Sequence, residues 1–163
     1  MEVNSEIFRS AWSKFPTGVT VITSNDREDN IHGMTANAIL SVSNEPPMVI
    51  VSVGIDRHSN SYITDNKRFG VNILADDQTE WAEYYALQPE KRGNEFPGDF
   101  RKSDSGMGII DGALTFMDCE VTETYEVGDH TLFLGTVIYA EGHDGWPLVY
   151  HEGDYLSLNE DPD

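Results

Sequence analysis

Short runs of β-branched and aromatic residues, separated by turn-forming clusters at hairpin distances, constrain this chain more than any other feature. Val19-Thr20-Val21-Ile22-Thr23 is followed by the polar run Asn25-Asp26-Arg27-Glu28-Asp29-Asn30, which reads as a hairpin loop leading to Ile31. Ala38-Ile39-Leu40-Ser41-Val42 predicts a further strand. Pro46-Pro47 then interrupts regular structure before the apolar run Met48-Val49-Ile50-Val51-Ser52-Val53, short enough to be a buried strand. The same signal returns at 69–74, 113–125, 131–139, 148–150 and 155–158, with a turn at Gly128-Asp129. Many short strands and few helices predict a mainly β chain, an antiparallel barrel with a few peripheral helices rather than a doubly wound sheet. No Gly-x-Gly-x-x-Gly segment occurs, so a nucleotide bound here is not bound by the Rossmann route.

The helical signals are local. Asn4 or Ser5 can cap a helix with Ile7, Phe8, Ala11, Trp12 and Phe15 on one face, stopped by Pro16. Helical periodicity returns over 58–67, and Asp77 with Glu80 forms a capping-box pattern for a short helix through about Leu87. Gly93, Pro97, Gly98, Gly106 and Gly108 mark 89–108 as a long surface loop. At 163 residues the chain fits one domain, read as 1–158 with an acidic tail at 159–163.

Charge excludes several functions. Against 29 acidic residues stand only 10 basic ones, a formal net charge of -19 that repels nucleic acid and anionic membrane. The acids are scattered, as on a uniformly solvated surface. Such self-repulsion is tolerable where molar salt shortens the Debye length to about 3 Å, which points to a salt-loving (halophilic) source, an ordinary acidic cytoplasmic protein being the alternative. The single cysteine, Cys119, lies in an apolar stretch and reads as a core residue of a protein in a reducing interior. Met1-Glu2-Val3-Asn4 lacks the basic and apolar blocks of a secretory signal, so a cytoplasmic location is expected. His32, His143 and His151 are too dispersed for a metal site, and no serine sits in Gly-x-Ser-x-Gly.

Three segments carry chemistry. In Gly33-Met34-Thr35-Ala36-Asn37-Ala38 the small residues let a planar ring approach backbone N–H and C=O groups, while Thr35, Asn37, Ser41 and Ser43 add short polar partners. Taken alone, the stretch is equally a turn satisfied by itself. Asp56-Arg57-His58-Ser59 opens the second helix, where unpaired N–H groups and the positive end of the dipole favour an anion. Gly128-Asp129-His130-Thr131 places a histidine beside a turn.

With Phe8 to Thr23, 68–74, Asp111-Gly112-Ala113-Leu114, 128–135 and Pro147-Leu148-Val149-Tyr150 in the same order, these segments resemble the flavin reductase-like family, the FMN-binding split barrels, over nearly the whole chain. The resemblance implies an NAD(P)H-dependent flavin reductase passing hydride from NADH or NADPH to FMN or FAD. It implies a flavin ring lined by Thr35, Ala36, Asn37, Ala38, Ser41, Val42 and Ser43, and flavin phosphate contacts at Arg57, His58 and Ser59. It further implies a positioning role for His130 beside flavin and nicotinamide, a homodimer, and a flavin-dependent monooxygenase supplied with reduced flavin. Phe96 and Phe100 could fold over the ring or anchor their loop to the barrel. A non-enzymatic flavin-binding module and a flavin-dependent oxidase of a small substrate are the competing functions.

The charge reading has a direct check. The thermal midpoint is expected to rise steadily from low to molar KCl as repulsion is screened; a midpoint indifferent to salt contradicts it.

Overall fold

In the computed structural model, which describes residues 3–94 and 97–158, the hairpin signals become an open antiparallel barrel. Asn4 caps α1 (Ser5–Trp12), its Oδ1 accepting from the backbone N–H groups of Glu6 (3.1 Å) and Ile7 (2.9 Å). The chain then runs through β1 (Thr17–Gly18), β2 (Thr20–Asn25), β3 (Ile31–Ala36), β4 (Ile39–Asn44) and β5 (Pro47–Gly54) to α2 (His58–Asn66). Next come β6 (Arg68–Ile73), α3 (Thr79–Ala86), β7 (Phe100–Lys102) and β8 (Gly108–Ile110). The long hairpin β9 (Thr115–Val127) and β10 (His130–Gly142) follows, and β11 (Leu148–His151) and β12 (Asp154–Ser157) close the described chain.

The main sheet has seven strands in the order β3-β2-β6-β9-β10-β5-β4, all paired antiparallel. Ile22, Met34, Val51, Val71, Cys119 and Phe133, drawn from six of those strands, share one buried core, and Ile39 of β4 packs against it. Strands that all turn one face to a common core form a barrel. Fully burying a side chain such as Phe69 or Phe133, both 0% exposed, contributes about 1.5–3 kcal/mol each. Gly135 lets this happen, because a Cβ there would stand 2.8 Å from the Phe69 ring. β3 and β4, consecutive in sequence, are the two unpaired edges, so the barrel is split between them.

Two expectations are corrected. The capping box of Asp77 with Glu80 does not form: Gln78, not Asp77, is the N-cap residue of α3, and its amide instead accepts from Ala75 N (3.0 Å) and donates to Asp111 O (2.9 Å). The segment 89–108 is not one surface loop. It holds a 3-10 turn (Pro89–Lys91) and the β7–β8 ribbon, drawn into the barrel where Gly108 O accepts from Thr23 Oγ1 (2.9 Å) and Asn72 Nδ2 (3.1 Å). The apolar face of α1 is not buried by the described residues, with Phe8, Trp12 and Phe15 58–60% exposed.

Cys119 is fully buried, and burial pushes its thiol up to about 12. The folded protein is therefore expected to resist a disulfide reagent such as DTNB at neutral pH and to react stoichiometrically once unfolded. Fast labelling of the native chain contradicts this packing.

Candidate functional site

The split in the barrel creates a cleft. β3 and β4 each have one ladder partner, so their outer edges carry backbone groups unpaired within the sheet. Asn37 and Ala38, the link between them, are exposed at the rim; Ser52 N donates to Ala38 O (3.0 Å) and ties the link to β5. The cavity opening there measures about 530 Å³, within the range of small-ligand sites. Its floor is Met34, Thr35, Ala36, Asn37, Ala38 and Ser52; Gly54 to Arg57 and the neighbouring Asp129 and His130 line it together, His130 pairing with Gly54 and Ile55 N donating to Asp129 O.

Side-chain commitments decide what this floor can offer a ligand. The Thr35 hydroxyl donates to Ala82 O (2.6 Å), clipping α3 to β3, and the Thr20 hydroxyl donates to Ala36 O (2.6 Å). Thr35 therefore presents backbone rather than hydroxyl to the cleft. Asn37 makes no side-chain hydrogen bond among the described residues and stays available at the rim. Gly54 ends β5 tightly, since a Cβ there would lie 2.9 Å from Asp56 Oδ1 and 4.0 Å from His130 Nε2.

His130 opens β10 opposite Gly54, and its Nδ1 lies 2.7 Å from Asp129 Oδ1. That bond holds the Asp129 carboxyl below the usual carboxylate range. With Asp129 ionised, Nδ1 donates and Nε2 is left for other contacts. Three residues beyond Gly54, Arg57 is the N-cap residue of α2 and makes no side-chain cap; its Nη1 donates instead to Ala86 O (3.2 Å) at the end of α3. Ser59 is buried, and His58 Nε2 lies 2.9 Å from Glu90 Oε1.

Arg92, which the sequence did not single out, joins this group. It lies 4.7 Å over the Tyr85 ring and donates to Gly33 O (2.8 Å) and Leu87 O (3.1 Å). Arg57, His58, Ser59 and Arg92 line one small recess beside the cleft, together with His32 and Met34. Guanidinium and imidazole groups thus gather at one helix start in a strongly acidic chain.

The structure brings Thr35, Ala36, Asn37, Ala38, Arg57 and His130 together around the cleft, with His58 and Ser59 in the adjoining recess. It does not bring Ser41, Val42 or Ser43 there. They lie on β4, where Ser41 and Ser43 border a separate apolar groove and Val42 is exposed, beside an irregularity in the β4–β5 register. Phe96 lies outside the described residues. Phe100 is an anchor: its ring sits 5.4 Å from Trp81 and 5.6 Å from Tyr85. Ser52, Gly54, Asp56 and Asp129 were not predicted to line the site. A lone serine inside the apolar run of β5, on the phase opposite buried Val51 and Val53, was the signal that could have found the first. No metal-binding cluster and no helix long and apolar enough to cross a membrane occur among the described residues.

The chain is thus an antiparallel barrel split over a floor of small residues, with guanidinium groups and a histidine gathered beside the split. The flavin reductase-like domain matches residues 12–159, and the chain belongs to that family. An NADH-dependent flavin reductase of a Rhodococcus species is 35% identical over 96% of this chain and 88% of its own length. Two solved structures share the fold. The styrene monooxygenase flavin reductase of Pseudomonas putida S12 has a TM-score of 0.84 at 31% identity, covering 95% of this chain and 98% of that one. The Streptomyces globisporus NADH:FAD oxidoreductase, in complex with NAD and FAD fragments, has a TM-score of 0.87 at 32% identity, covering 100% of this chain and 99% of that one.

Proposed function

We propose that the cleft holds the isoalloxazine ring of FMN or FAD against Thr35, Ala36, Asn37 and Ala38, with its phosphate at Arg57, His58 and Ser59 and with Arg92 alongside. The chain is an NAD(P)H:flavin oxidoreductase. The observation that carries the site assignment is the meeting of strand edges, a cation-bearing helix start and His130 around one cavity of about 530 Å³. Small side chains let a flat ring reach backbone donors and acceptors; bulky ones would fill the split. The flavin supplies an acceptor for hydride from the nicotinamide of NADH or NADPH, and the chemistry lies largely with those two molecules.

What the chain adds is placement. A ring lying on the β3 floor would keep its other face free for the nicotinamide. His130, held by Asp129 at 2.7 Å, presents Nε2 at the cleft edge to position that second ring. Proton donation by His130 is not required.

Reduced flavin goes on to an oxygen-using partner, a flavin-dependent monooxygenase, the kind of enzyme that the styrene monooxygenase flavin reductase of Pseudomonas putida S12 is named for. The protein works as a homodimer. Phe8, Trp12 and Phe15 of the α1 region, with Leu40 and Val42 of β4, form an exposed apolar surface, and a groove of about 640 Å³ shares Asn37, Ala38 and Ser52 with the cleft. Ser41, Val42 and Ser43 belong to this dimer face, next to the flavin rather than under it. The one buried cysteine suits a reducing cytoplasm, and the acidic surface suits a high-salt interior.

Anaerobic stopped-flow mixing tests the reading: NADH or NADPH bleaches the visible flavin band in the presence of the protein. The variant His130→Ala is expected to lower kcat/KM for the nicotinamide donor about tenfold, some 1.4 kcal/mol of transition-state stabilisation, with flavin affinity nearly unchanged. A flavin band that neither donor bleaches overturns the function; unaltered kinetics in His130→Ala overturn the assignment of His130.

A further inference from the structure

We propose that Asn60 is a positioning residue for this reaction, resting on the cleft reading above: it sets the separation between the anion-binding start of α2 and His130. Asn60 lies in the first turn of α2 and is half-buried. Its Nδ2 donates twice, to Val53 O on β5 (3.2 Å) and to Thr131 Oγ1 on β10 (2.9 Å). Val53 and Thr131 face each other across the β5–β10 ladder, and the adjacent rung is Gly54 with His130. One amide therefore fastens the helix that carries Arg57, His58 and Ser59 to the rung beside the histidine.

The other side chains at this end of α2 do not duplicate the brace. Arg57 reaches across to Ala86 O on α3, and His58 reaches Glu90. The backbone bonds Arg57 N to Gly54 O (3.1 Å) and Ile55 N to Asp129 O (3.0 Å) hold the intervening turn rather than the helix. At its far end α2 is tied to the β2–β3 hairpin, by Asn66 Nδ2 to Asn25 O and by the Arg27–Asp65 ion pair. Without Asn60 the near end can swing about that far anchorage. Both acceptors sit in buried residues, Val53 1% and Thr131 5% exposed, so water cannot readily replace the lost donor.

Hydride transfer between two stacked rings is sensitive to such a swing, since a misplacement near 1 Å can cost about a hundredfold in rate. Flavin affinity also falls, because the phosphate contacts at Arg57, His58 and Ser59 ride on the same helix start, whereas the ring floor on β3 does not depend on Asn60.

The test uses Thr131→Val, which removes the acceptor oxygen at constant shape, and Asn60→Ala, with Thr131→Ser as the rescue. Expected for both disruptive variants is an approximately tenfold slower flavin reduction at saturating NADH and flavin, with the flavin Kd raised about threefold or more as the phosphate contacts shift. Thr131→Ser should recover at least about half of the wild-type rate. In the flavin-free protein, the His130 imidazole C–H resonance should shift in Thr131→Val while that of the distant His151 stays in place. This readout is independent of flavin and NADH, so it separates failure of the brace from failure of the flavin assignment. Should Asn60→Ala not fold, Thr131→Val carries the test alone. A folded Thr131→Val with lowered thermal stability but an unmoved His130 resonance and a reduction rate within about twofold of wild type overturns the proposal.

Discussion

Two strands that follow one another in the chain stand at opposite ends of the main sheet. β3 and β4 are joined only by Asn37 and Ala38, yet each pairs on one side alone, so five other strands must travel around the core to connect them. The shared core of Ile22, Val51, Val71, Cys119 and Phe133 pulls the sheet into a barrel, and the last two edges stay unpaired with each other on either side of the link. Hydrophobic closure thus leaves backbone unpaired at one place, lined by residues too small to cover it. Unpaired edge groups invite a partner, and a flat heterocycle with polar edges is one that a narrow split admits.

Electrostatics complements that opening. In a chain with 29 acidic and 10 basic residues, most described cations near acids are neutralised by them: Lys14 by Glu152, Arg68 by Glu120, Arg101 by Glu141, Lys102 by Asp29. Arg57 and Arg92 instead donate to backbone carbonyls around the site. Carbonyls orient a guanidinium without cancelling its charge. Beside the α2 start, where Glu90 pairs with His58, these guanidinium charges lessen the repulsion that a surface of this sign imposes on any phosphate-bearing ligand.

Strands were legible wherever their signal was local. The β-branched run at β2 and the apolar run at β5 declare themselves by composition, and Asn4 was readable as a cap because the N–H groups that donate to it lie two and three residues away. What escaped was set by long-range contacts. The ribbon at Gly108 depends on Thr23 and Asn72, 85 and 36 residues distant, while Gln78 takes the cap position from Asp77 as its side chain reaches Asp111. The site followed the same rule. Thr35, Ala36, Asn37 and Ala38 lie in one motif and could be quoted together, whereas Arg92 enters through Gly33 O, 59 residues away. Ser41, Val42 and Ser43 continue that motif along the chain, but β4 carries them away from the cleft along the barrel edge.

The account rests on a flat ring occupying the split between β3 and β4, and diffraction from crystals soaked with FMN tests this most directly. The ring is expected along Thr35, Ala36, Asn37 and Ala38, with the phosphate within hydrogen-bonding reach of the α2 start and one ring face turned towards His130. Density for FMN elsewhere on the barrel, or a split still empty at saturating FMN, would contradict it.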